Sequence, residues 1–81
     1  MKTENSQEVV EALKKAVDEM RALRDETRLK VHLASRDARA AWDRLEPAIE
    51  EAERDVAQAS VTALRKIEEN VKQLRGLVAK L

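Results

Sequence analysis

From Val9 onward, apolar residues recur every three or four positions, the spacing of a helix with one buried side. On a wheel of about 100° per residue, Val9, Val10, Leu13, Val17, Met20, Leu23, Thr27, Val31, Ala34, Ala38, Ala41, Trp42 and Leu45 share one broad face. Much of this face is a heptad. One row runs through Val10, Val17, Arg24, Val31, Ala38 and Leu45, and the other through Leu13, Met20, Thr27, Ala34, Ala41 and Ala48. A second stripe follows, through Ile49, Val56, Ser60, Ala63, Ile67, Val71, Leu74, Val78 and Leu81. The pattern predicts an all-α fold: a helix over about 6–45 and another over about 47–80.

Start and stop signals refine this reading. Asn5 is placed to cap the first helix, with Glu8 three residues on as in a capping box. No Gly or Pro occurs before Pro47. Proline suits the first position of a helix and disfavours helical geometry in the residue before it, here Glu46. The favoured architecture is therefore an antiparallel helical hairpin that turns near Pro47, within a single domain over 1–81. Two alternatives stay open. Pro47 only kinks one long helix, or the chain breaks earlier, with Ser35 capping a new helix. A first helix that lacks a C-terminal Gly counts against a tight hairpin turn.

Composition sharpens the expectation of association. The chain has 81 residues, with 43% hydrophobic and 40% charged, and no Cys, Phe or Tyr. Chains near this size gain ~3–5 kcal/mol from one core and often add disulfides, metals or oligomerisation. Disulfides are excluded here, so a homo-oligomer is expected, with a dimer forming a four-helix bundle as the first form and a tetramer as the next. The anticipated interface residues are Val31, Trp42, Leu45, Ile67, Val71 and Leu74 on the seams, together with Leu29 and Leu33. The two leucines belong to a second apolar row, Ala22, Leu29, Leu33 and Ala40, about 150° from the main face. A two-helix hairpin would not cover that row. Arg24 and Thr27 stand in the seams, where a polar residue can fix register.

Charge narrows the chemistry. Sixteen basic residues balance sixteen acidic ones, so no bulk preference for nucleic acid or anionic lipid follows. Locally, Arg21, Arg24, Arg28, His32, Arg36 and Arg39 form a stripe along the first predicted helix. Of this set, the five arginines could hold phosphates. The competing reading is that they pair with the acidic run Glu46, Glu50, Glu51, Glu53 and Asp55. There are no interleaved aromatics for base stacking, and neither nucleic acid nor membrane is an expected partner. His32 has arginines at i−4 and i+4, which disfavours a metal. No nucleophile–base pattern or glycine-rich phosphate loop is present. No catalytic residue, cofactor or metal is expected. With no apolar leader and no cysteine, the cytoplasm is the default location.

The stretch Leu29–Pro47, LKVHLASRDARAAWDRLEP, resembles short uncharacterised bacterial helical proteins of coiled-coil or apolipoprotein-like type. The resemblance implies a helical hairpin or coiled coil and brings no activity with it. The expected function is therefore a non-enzymatic self-association, scaffold or protein-interaction module. The alternative is an accessory protein that binds an anionic surface through the Arg21–Arg39 stripe.

Overall fold

The computed structural model describes residues 2–81, with side chains from Gln7 onward. The helix start expected at Asn5 is corrected, because α1 already begins at Lys2 and Asn5 lies inside it; the Asn5 side chain lies outside those described. All regular structure among the described residues is helical, and three long helices run up, down and up: α1 Lys2–Lys30, α2 Arg36–Asp55 and α3 Val61–Val78. A single 3-10 turn extends α1 at Val31–Leu33, and another extends α2 at Val56–Gln58. The bundle measures 48 × 17 × 15 Å.

Three helices replace the expected two. The predicted break near Pro47 is absent, and Pro47 lies well inside the 20 residues of α2. The chain turns instead at Ala34–Ser35 and at Ala59–Ser60. At both turns a serine hydroxyl accepts a backbone N–H three residues ahead: Ser35 from Ala38 at 3.2 Å and Ser60 from Ala63 at 3.1 Å. Each bond satisfies one of the donors that a helix N-terminus leaves unpaired. Pro47 is accommodated because it and Asp43 both face water. The carbonyl that a residue 47 N–H would have engaged is Asp43's, so solvent can take that place.

The second turn uses an awkward residue. Ala59 has φ 48° and ψ 44°, the one left-handed non-glycine among the described residues. Its N–H closes the 3-10 turn onto Val56 O at 2.9 Å. Helices commonly end on glycine in this conformation, because a Cβ there costs roughly 1–2 kcal/mol. Ala59→Gly is expected to raise stability by about 1 kcal/mol after the lost methyl packing is counted. Chemical denaturation with an unchanged m-value would register this as a higher midpoint; a lower midpoint would show that the Ala59 methyl matters more than the strain.

The core is drawn from all three helices. Leu13, Val17 and Met20 come from α1; Ala38, Trp42, Leu45, Ile49 and Ala52 from α2; Ala63, Ile67, Val71, Leu74 and Leu77 from α3. Each set follows the three-and-four spacing read from the sequence. Five of the eight anticipated interface residues (Trp42, Leu45, Ile67, Val71 and Leu74) are buried here within one chain. Val31 packs partly against the same core. A third helix accounts for this burial, since it covers the seams that a two-helix hairpin would leave open.

Polar residues in the core each have a distinct solution. Asn70 is buried on α3, and its Nδ2 donates to Ala48 O of α2 at 3.2 Å. That bond fixes how α3 lies along α2. Thr27 is fully buried, but its hydroxyl donates to Leu23 O of its own helix at 2.8 Å. It is satisfied locally and does not set a register between helices.

Candidate functional site

The arginines of the basic stripe are divided by the turn at Ala34–Ser35. Arg21, Arg24 and Arg28 sit on α1, whereas Arg36 and Arg39 sit on α2. The three on α1 reach across to acids of α2. Arg21 Nε donates to Glu53 Oε2 at 3.0 Å, and Arg24 Nη1 donates to Glu53 Oε1 at 3.0 Å. Arg28 Nη2 donates to Glu46 Oε2 at 3.2 Å. In an up-and-down pair, rising positions on one helix meet falling positions on the next, as these pairs do. Their function is to join α1 to α2 by long side-chain arms. Arg36 and Arg39 make no ion pair among the described residues.

Glu53 is the centre of this link. One carboxylate oxygen serves each arginine, and Arg24 is mostly buried beside it. The Arg24 Nε is buried without a hydrogen bond and lies 3.5 Å from Asp25 Oδ1. Glu53→Gln keeps the shape but leaves the Arg24 charge without a carboxylate partner across the bundle. A loss of about 1–2 kcal/mol is expected, because the pair is partly screened by solvent. Urea denaturation at low and high salt would measure it; equal midpoints for variant and parent at low salt would remove Glu53 from this role.

Further ion pairs stitch α3 to its neighbours. Lys66 Nζ donates to Asp55 Oδ2 at 2.7 Å and lies 3.7 Å from Glu51. The hydrogen bond to Asp55 and that carboxylate's charge, with a smaller contribution from Glu51, hold the Lys66 ammonium above its ordinary value of 10.5. Arg75 pairs with Glu19 of α1.

The surface feature left over is the α1–α2 corner. Leu29 is 77% exposed and Leu33 is 93% exposed, while every other leucine with a described side chain is buried or half-buried. A burial-driven fold gains nothing from these two side chains as they stand. Beside Leu29 lies an open hollow of about 590 Å³, lined by Asp25, Arg28, Leu29, Val31, His32 and Trp42. Of these, Trp42 belongs to α2 and is itself buried in the core. Of the anticipated interface set, then, the structure brings Leu29, Val31 and Trp42 to one place, with Leu33 on the adjoining turn. It sends Leu45, Ile67, Val71 and Leu74 into the core instead.

The second apolar row is likewise redistributed. Ala22, Leu29 and Leu33 lie on α1 and its 3-10 extension, but Ala40 belongs to α2. All four are exposed. Sequence reasoning singled out the two leucines through their spacing, whereas it placed their surroundings on a continuous helix and so missed the corner. Among the described residues, no group of three or more His, Cys, Asp or Glu side chains is arranged to hold a metal, and no helix is long and apolar enough to cross a membrane. No protein-family profile, curated protein or solved structure matches this chain.

Proposed function

We propose that this chain is a non-enzymatic self-association module, and that the Leu29–Leu33 corner is its contact with a second copy. The observation that carries the reading is the exposure of these two leucines on a chain that otherwise buries its leucines at least in part. Exposed leucines occur singly on many proteins, but two at an i, i+4 spacing make a patch suited to a helical partner. The anionic-surface alternative has less support, because Arg21, Arg24 and Arg28 already serve Glu53 and Glu46.

Sedimentation velocity over a wide concentration range tests the reading. The parent chain is expected to show a reversible dimer. The double variant Leu29→Ser/Leu33→Ser is expected to stay monomeric with unchanged helical circular dichroism. A parent that remains monomeric into the millimolar range would overturn it.

A further inference from the structure

Two leucines at a corner cover far less than the ~800 Å² per partner of a standard stable interface. A self-association that uses them needs a larger contact, and the α1–α2 turn supplies a route to one. We infer that this turn is a hinge: it straightens, α1 and α2 fuse into one helix, and two chains exchange their α1 helices. This inference rests on the self-association reading above and specifies its form.

Three independent features point to the hinge. The first is local. Two residues leave helical geometry between the 3-10 turn and α2: Ala34 with ψ 164° and Ser35 with ψ 163°. Neither Gly nor Pro stands anywhere before Pro47, so no residue at the turn forbids helix. The bent form is held by the Ser35 cap and the Ala34 N–H bond to Val31 O at 3.1 Å. Both are replaced by ordinary helical bonds when the turn straightens.

The second is the heptad. Its rows pass through the turn without a change of phase, from Arg24 to Val31, Ala38 and Leu45, and from Thr27 to Ala34 and Ala41. A sequence that needed only the bent form would be free to lose that phase at Ala34. Straightened, Lys2 to Asp55 would form a helix of about 80 Å at ~1.5 Å per residue.

The third concerns the exposed row. Ala22, Leu29, Leu33 and Ala40 are separated by 7, 4 and 7 residues, which is the spacing of adjacent seam positions in a coiled coil. The row is divided between two helices in the closed bundle and aligned on one face in the straight helix. Two such helices paired antiparallel in the register of Arg24 with Glu53 cross near residue 38, and the Leu29 and Leu33 rows of both chains then lie on one side of the pair, within about 15 Å of its axis. Each α1 meanwhile docks on the partner's α2 and α3, where it remakes the closed-chain contacts, including Arg21 and Arg24 with Glu53. The interface is then as large as the entire α1 packing surface. Exchange of an identical element in this way adds contacts at the hinge and sacrifices few elsewhere.

Two substitutions act in opposite directions on this equilibrium. Ser35→Ala removes the cap that holds the bend and favours continuous helix. Two caps are lost from the closed state per dimer, at about fivefold each, so the dimer is expected to tighten about twenty-fivefold. Arg36→Pro places proline at the first position of α2, after a residue already extended, so it suits the closed bundle. In a continuous helix the same proline would interrupt the backbone ladder, and the dimer should disappear while the monomer keeps its helicity. An intrachain distance distinguishes the modes. Ala22→Cys/Arg54→Cys carries a spin-label pair in a chain with no other cysteine, diluted into unlabelled protein. The labels are expected to lie about 50 Å apart in the dimer and much closer in the monomer. A dimer that forms equally in Arg36→Pro and retains the short distance would overturn the exchange while leaving self-association in place. A monomer under all conditions, for the parent and Ser35→Ala alike, would overturn both.

Discussion

Truncating Leu74 to alanine is expected to leave the protein close to half unfolded at room temperature. Leu74 is completely buried on α3 within the core that joins all three helices. Removing a buried leucine beyond its Cβ forfeits transfer free energy and opens a cavity, together costing about 2–5 kcal/mol. A core in a chain of this size supplies only ~3–5 kcal/mol in total. The same truncation at Leu33, 93% exposed in the closed bundle, should change monomer stability by less than about 0.5 kcal/mol. Equilibrium denaturation of the two variants side by side checks the assignment of core and surface. Comparable losses at both positions would mean that Leu33 is buried in the state being unfolded.

The opposite effect is expected at Pro47. Within α2 it lacks the N–H that would reach Asp43 O, and its ring crowds the preceding turn. Proline inside a helix costs about 3 kcal/mol relative to alanine. Some of that is offset because proline also restricts the unfolded chain, by up to about 1 kcal/mol. Pro47→Ala should therefore stabilise the bundle by about 2 kcal/mol, a rise in melting temperature of roughly 8–16 °C for a domain of this length. The side chain faces water, so no packing is lost. If Pro47 instead opened a helix, as in a two-helix hairpin, alanine there would bring little or no gain. A thermal melt thus separates the three-helix arrangement from the hairpin.

Much of the fold was legible because helix periodicity is a local property. The stripe Leu13, Val17, Met20 and the stripe Ile67, Val71, Leu74 were read as buried faces, and both are buried. The turns were harder. Ser60 fits the apolar wheel and stands after an alanine, not the glycine that usually ends a helix, so its capping role left little trace. Ser35 carried a weak cap signal within a heptad that continues on both sides. Pro47 carried a strong signal that pointed to the wrong place, because its cost depends on whether the freed carbonyl faces solvent or core. At the candidate site, the exposed spacing of Leu29 and Leu33 was visible from the sequence. The pairing of Glu53 with both Arg21 and Arg24 was visible only as a choice among five acids.

The sequence by itself determined that this chain is helical, which faces seek burial, and that its charges balance. Those follow from residue spacing and composition, which every copy of the chain carries in any arrangement. Tertiary structure decided how many helices there are and which seams are spent within the chain. Those outcomes depend on comparing whole packings: α3 can cover α1 and α2 together only if the chain turns at Ser35 and Ser60, and no local window contains that comparison.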